Sequence, residues 1–218
     1  MKNADEARHF VRTSTKLSAP AMVPEIRIHQ ATEVTALWQA TESYLDTIGL
    51  PPPYWAFPWP GSQALARYIL DHPSEFAGRR VADIGAGNGL ASIAAALAGA
   101  ARVVAIDPDP FAAAAAAENA LANEVALDIR IRDGTLDLPE GTDLVIAGDV
   151  CYERAMAERL VPALRRAAAA GIPVLLADPG RAYLPKEGLL ELARYHVPTS
   201  RELEDREVRE TTIWRMLP

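Results

Sequence analysis

The sequence predicts one doubly wound α/β sheet. Three observations carry the prediction. Short apolar runs alternate with helical patterns from Arg80 onward, a glycine-rich turn follows the first run, and acidic residues stand where successive runs end. With 218 residues the chain can bury one substantial core and is short for two full domains.

Taken in order, residues 1–50 read as an N-terminal extension of helix, short strand and helix, and residues 51–218 as the main domain. A helix opens near Ala4. Residues 25–30 alternate in strand fashion, with Ile26 and Ile28 on one face and Arg27 and His29 on the other. A helix over 32–47 puts Leu37, Trp38, Tyr44 and Leu45 on one side, and Pro51-Pro52-Pro53 ends it. Residues 54–61 then place four aromatics between prolines, and a helix follows over 62–71.

Five strands are predicted over 81–84, 102–106, 126–131, 144–147 and 174–177. Helices separate them over 90–97, 110–123 and 154–170. The alanine run at 112–117 favours helix, and Pro110 suits a first turn. Pro162 predicts a kink or break, and Gly171 a helix end. Residues 187–195 read as a helix, and segments near 197–203 and 208–217 as a closing antiparallel hairpin. Strands joined through helices imply right-handed crossovers and a mainly parallel sheet.

Half the residues are hydrophobic and 23% are charged, which is ordinary globular composition. A net charge of −7 offers no footprint for a phosphate backbone, so a nucleic-acid substrate is disfavoured against a basic protein segment or a small molecule. The lone Cys151 cannot close an internal disulfide and reads as a small buried residue, not a nucleophile. No run approaches the roughly 20 apolar residues that span a bilayer. Asp5 and Glu6 near the start leave no apolar signal core, so a cytoplasmic protein is expected. No metal site is read.

The first chemistry-bearing motif is Asp83-Ile84-Gly85-Ala86-Gly87-Asn88-Gly89, at the end of a strand and the start of a helix. Glycines there permit positive φ and close approach of a ligand to the backbone. The G-x-G-x-G spacing differs from the dinucleotide fingerprint. Asp83 would repel a pyrophosphate but could receive an ammonium group. S-adenosylmethionine carries an amino-acid end and no phosphate, so the motif favours it over NAD. Asp107, 22 residues after Gly85, stands where a carboxylate accepts from ribose hydroxyls. Asp133 could accept from an adenine amino group, or cap a turn before Gly134.

The second motif is Gly148-Asp149-Val150-Cys151-Tyr152-Glu153. The preceding strand is expected beside the first across the switch point, so its end faces the same ligand. Many amino methyltransferases carry an Asn/Asp-Pro-Pro-Tyr/Phe run here. This chain keeps the acid and the tyrosine but lacks the prolines, and a carboxylate suits a cationic amine. The alternative reading has Asp149 capping the following helix and Tyr152 packing.

Asp83–Gly89, Asp149-Val150-Cys151-Tyr152 and Trp59-Pro60-Gly61 together resemble the seven-β-strand lysine methyltransferases with a D-x-x-Y motif. With residues 53–61, 148–153 and Asp178-Pro179-Gly180-Arg181 included, the chain is most similar to the enzymes that methylate lysines of the electron transfer flavoprotein beta subunit. The resemblance runs from about Pro51 to the C-terminus. It implies a Rossmann-like seven-stranded methyltransferase sheet, mainly parallel with a C-terminal antiparallel hairpin. It implies S-adenosylmethionine as cofactor, S-adenosylhomocysteine as product and that flavoprotein subunit as protein partner, with neither nucleic acid nor membrane. Asp83, Gly85, Gly87 and Gly89 would hold the methionine part, Asp107 the ribose, and Trp59 would line the pocket. Asp149 and Tyr152 would line the lysine site as catalytic residues, and 178–181 would border the substrate. The absence of an organellar signal suggests a bacterial member.

The implied reaction is in-line methyl transfer to a lysine ε-amine. A lysine of pKa about 10.4 must first lose a proton, which costs about 4–5 kcal/mol at pH 7. A neighbouring carboxylate opposes that loss, so docking and orientation are the first role of Asp149, with proton acceptance undecided. The rival readings are a methyltransferase of another protein, a small molecule or nucleic acid, a non-catalytic S-adenosylmethionine-binding interaction protein, and, last, an NAD-dependent oxidoreductase.

Overall fold

A computed structural model describes residues 4–32, 36–39, 52–133 and 137–218. Helix α1 (Ala4–Ser14) leads into an antiparallel ribbon of β1 (Lys16–Ser18) and β2 (Ile28–Gln30). Ile26 and Ile28 are both fully buried, as their alternation predicts. Of the helix expected over 32–47, Ala36–Gln39 is helical (α2); most of the remainder, with Tyr44 and Leu45, lies outside the described residues.

The main sheet has seven strands in the order β5-β4-β3-β6-β7-β9-β8. Strands β3 (Arg80–Ile84), β4 (Arg102–Asp107), β5 (Asp128–Ile131), β6 (Leu144–Gly148) and β7 (Val174–Asp178) are parallel. Strands β8 (Leu189–Pro198) and β9 (Val208–Met216) form the antiparallel edge. The central strands are near-continuous apolar runs because both faces are covered. Val81, Val103, Leu144 and Ile146 meet α3 (Pro60–Asp71) and α4 (Leu90–Leu97). Ala82, Ile84, Val145 and Ala147 meet Leu160, Leu164 and Ala168 of α6 (Arg154–Ala169). Since β3 pairs with β4 on one side and β6 on the other, the chain reverses direction across the sheet there, leaving a crevice at the strands' carboxyl ends.

Helix α5 (Pro110–Ala122) starts where Asp109 accepts from the Phe111 N–H at 2.8 Å, with Pro110 in its first turn. Its alanines, Ala112 and Ala114–Ala116 among them, are buried, which lets α1 lie close against it. Glu118 of α5 takes both Arg8 and Arg12 of α1.

Two expectations need correction. Residues 187–195 are not helical: β8 covers Leu189–Pro198 and pairs with β9 from Leu189↔Met216 to Pro198↔Val208. Leu189-Leu190-Glu191-Leu192-Ala193 are good helix formers, and tertiary pairing overrides that preference. The hairpin therefore begins earlier than expected, and its connection holds a short helix, α7 (Arg201–Glu204), where the sequence suggested strand. Pro162 does not break α6, which runs through it from Arg154 to Ala169. Pro162 and Glu158 are both exposed, so water can take the carbonyl that the missing N–H leaves free.

Candidate functional site

A cavity of about 630 Å³ opens at the carboxyl ends of β3, β4 and β6. Its floor includes Gly85, Gly87 and Asp107, and one wall carries Tyr54, Phe57 and Trp59. The aromatic wall follows from residues 54–61. Tyr54–Ala56 form a single 3₁₀ turn, and Pro60 then opens α3. Trp59 Nε1 donates to the Tyr54 carbonyl at 2.7 Å, and their rings lie 6.1 Å apart. The Tyr152 ring packs 5.4 Å from Tyr54 and extends this wall.

The glycine loop is organised by Asp107. Its carboxylate accepts from the Gly87 N–H and the Asp109 N–H, each at 2.9 Å. Burial raises its pKa, and these two N–H groups oppose that. Gly87 has φ +54° and nothing within 4 Å of where a Cβ would stand, so the bare backbone faces open space. Gly89 instead turns at the start of α4 and packs on Ala116. Asn88 ties the loop to the aromatic wall through the Phe57 carbonyl at 3.2 Å.

Asp83 is not on the cavity wall. It is 2% exposed, behind the loop, and accepts from Ser92 Oγ at 2.6 Å. Burial, with the nearby Asp107 charge adding to it, pushes its carboxyl up to about 7. Asp133 lines the cavity and pairs with Arg159 at 2.7 Å.

Asp149 lines the cavity at the end of β6, with φ +58° and 7% exposure. It does not cap α6, whose N-cap Glu153 makes no side-chain cap. It caps a different helix: its Oδ2 accepts from the Gly61 N–H in the first turn of α3 at 2.5 Å. Its Oδ1 accepts from Arg181 Nε at 2.7 Å. Burial raises the Asp149 pKa, opposed by Arg181 and the Gly61 N–H. Burial likewise raises the Tyr152 phenol. Cys151 is buried, and burial with the charges of Asp178 and Asp149 pushes its thiol up to about 12, so it stays protonated at neutral pH.

The segment 178–181 aims Arg181 at Asp149. Asp178 Oδ1 accepts from the Gly180 and Arg181 N–H groups at 2.7 and 2.6 Å, a side-chain turn of the kind aspartate favours. Burial pushes Asp178 up to about 6. The Arg181–Asp149 pair and the Glu204 that holds Arg181 have no local pattern that marks them. The Gly61 N–H and Asn88 lie within motifs that the sequence displays, but their contacts with Asp149 and Phe57 are not legible there.

Residues 64–170 match the family described as ribosomal protein L11 methyltransferase (PrmA). The chain is 35% identical over 218 residues to the electron transfer flavoprotein beta subunit lysine methyltransferase of Danio rerio, covering 97% of this chain and 83% of that protein. The Homo sapiens protein of the same description is 31% identical over 220 residues, covering 98% and 83%. Among solved structures, magnesium protoporphyrin IX methyltransferase from Synechocystis PCC 6803, with bound SAM, superposes with a TM-score of 0.52 at 19% identity, covering 86% of this chain and all of that one. That likeness is one of fold. The relatives matched over most of the chain come from fish, frog, mammals and a nematode, which overturns the expectation of a bacterial cytoplasmic protein. Among the described residues no helix is long and apolar enough to cross a membrane.

Proposed function

The chain belongs to the electron transfer flavoprotein beta subunit lysine methyltransferase family, and from that premise we propose that it transfers methyl groups from S-adenosylmethionine to lysine side chains of that flavoprotein subunit. The observation that carries the reading is one shared cavity. The glycine loop and Asp107 stand on its floor, and Asp149, Tyr152 and the aromatic wall of Tyr54 and Trp59 enclose the rest.

The residues present fit the cofactor. Gly87 exposes backbone with room in front of it, and Asp107 keeps lone pairs beyond the two it spends on N–H groups, suited to ribose hydroxyls. Gly85 and Trp59 border the same space, and Asp133 stands at its edge. Gly89 shapes the turn, while Asp83 acts from behind the loop. When bound, the cofactor supplies an electrophilic methyl group.

The remaining work belongs to the protein. Tyr54, Trp59 and Tyr152 form an apolar wall for the stem of a lysine, whose methylenes pack on rings while the nitrogen reaches inward. Asp149 fixes the nitrogen's position, and the wall excludes water from it. Holding reactants in line within about 3–3.5 Å supplies much of the acceleration. A protein acceptor accords with the acidic net charge of −7.

The test uses methyl-labelled S-adenosylmethionine, the purified enzyme and the purified flavoprotein beta subunit, followed by peptide mass spectrometry. Methyl groups on lysines of that subunit are the expected result. Label only in other proteins would discard the named acceptor, and label only in nucleic acid or small molecules would overturn the lysine reading.

A further inference from the structure

Arg181 stands between two buried carboxylates. Its Nε donates to Asp149 Oδ1 at 2.7 Å, and its two terminal nitrogens donate to Glu204 at 3.1 and 2.5 Å. The Glu204 side chain is 1% exposed and also accepts from Arg209 Nε at 2.9 Å. Glu204 ends α7, so the C-terminal hairpin delivers a carboxylate to the rear of the cavity. The guanidinium is also 5.9 Å from the Trp59 ring centre, within cation–π reach. Asp149, Arg181, Glu204 and Arg209 thus form a chain of alternating charge that sums to zero.

This arrangement answers a chemical difficulty. A bare buried carboxylate beside a lysine ammonium strengthens that ammonium's hold on its proton, while methyl transfer needs the free amine. An arginine never releases its own proton, so it serves as a permanent counter-ion. Of the other ionisable groups on the cavity wall, Arg159 is paired with Asp133, and Asp107 and Tyr152 carry no positive charge; Asp178 and Cys151 are not on that wall.

We propose that Arg181 is a positioning residue for methyl transfer: gripped by Glu204, it occupies the counter-ion place on Asp149, so the incoming lysine meets a neutralised carboxylate and is bound as the amine. The inference rests on the lysine reading above. The ammonium proton leaves to bulk water before attack; the nitrogen lone pair would then form the new C–N bond as the sulfonium–methyl bond breaks, that bond's electron pair staying on sulfur. Asp149 orients the amine through a remaining lone pair and is not the proton acceptor.

The experiment measures kcat at saturating protein acceptor against pH from 6.5 to 10 with the full chain, for the wild type, R181Q, R181K and E204Q, because kcat reports ionisation within the complex. In R181Q the unpaired Asp149 holds the ammonium. The rising, acid-side limb moves up by about one pH unit and kcat at pH 7.5 falls about tenfold, recovering toward wild type near pH 9.5. R181K keeps the wild-type limb, and E204Q moves it in the same direction by less. A loss in R181Q that is equal at every pH, or a limb that does not move, overturns the proposal. Should R181Q fail to fold by circular dichroism, E204Q decides by the same criterion. If the wild type methylates no lysine, the reading of the reaction has failed. If it methylates lysine and the limb stays fixed in R181Q, the role of Arg181 alone has failed.

Discussion

The Gly61 N–H and the Asp149 carboxylate meet at 2.5 Å across 88 residues of sequence, joining the first turn of α3 to the end of β6. A Cβ on Gly61 would stand 2.6 Å from the Asp149 nitrogen and 2.8 Å from both the Ala177 carbonyl and Asp149 Oδ2. Backbone on two sides cannot give way cheaply. Gly61→Ala therefore pushes α3 off the strand ends, and overpacking of this kind costs about 1–3 kcal/mol. The expected outcome is a lower unfolding midpoint together with at least a tenfold loss of kcat, since about 1.4 kcal/mol of lost transition-state stabilisation is tenfold. Wild-type kcat in a destabilised variant would show that this contact serves packing alone.

Asp83 links stability to pH. Its folded pKa of about 7 stands above the unfolded value of about 3.9, so the folded chain binds this proton more tightly and stability falls as pH rises from about 4 to 7. Asp83→Asn removes the cost of ionisation, and its amide oxygen still accepts from Ser92. Each tenfold in proton affinity is worth about 1.4 kcal/mol, so a fraction of the displacement is measurable. The variant melts higher than wild type at pH 8, with the difference closing toward pH 4. Parallel melting curves at all pH values would contradict this.

The central sheet is legible in the sequence because β3, β4, β6 and β7 are apolar runs bounded by glycine or aspartate, and their order fixes where their ends converge. The β8 strand is hidden because Leu189–Ala193 satisfy helical preference locally, and only the ladder with β9 makes them a strand. The inward position of Asp83 was encoded in strand parity. It shares a face with Val81, which packs against α3 and α4, whereas motif spacing drew attention to the loop. The pairing of Asp149 with Arg181 and of Arg181 with Glu204 joins positions 32 and 23 residues apart, set by two loops and a short helix. Periodicity and capping rules act over a few residues and say nothing about such pairs.

Asn119 stitches the N-terminal ribbon to the glycine loop. It is fully buried in α5; its Oδ1 accepts from the His29 N–H at 2.7 Å and its Nδ2 donates to the Asn88 carbonyl at 2.9 Å. Asn119→Ala leaves a backbone donor and acceptor without partners, at about 1–3 kcal/mol each. The chain should lose about 2–6 kcal/mol in denaturant unfolding, and hydrogen exchange should quicken at both His29 and the loop around Asn88. Asn119→Asp retains the His29 bond and loses the other, so only the loop amides should quicken. Equal quickening at both places would show that the two contacts are not separable.

Tyr152 is the last test of how the wall works. Burial first, then the neighbouring Tyr54, holds its phenol above its ordinary pKa, so it remains neutral at any assay pH and cannot act as a base. Its ring lies 5.4 Å from that of Tyr54. If the ring is what matters, Tyr152→Phe keeps kcat/KM within about tenfold, the most that one ordinary hydrogen bond of 0.5–1.5 kcal/mol explains. Tyr152→Ala removes the ring contact, worth about 0.5–1.5 kcal/mol beyond its buried area, and opens the cavity to water. Its kcat/KM should fall by about a hundredfold, with most of the loss in KM because the lysine stem has lost its wall. Steady-state kinetics on the two variants separates the roles. A phenylalanine variant as inactive as the alanine one would assign the function to the hydroxyl, donating to the reacting nitrogen or to a water beside it.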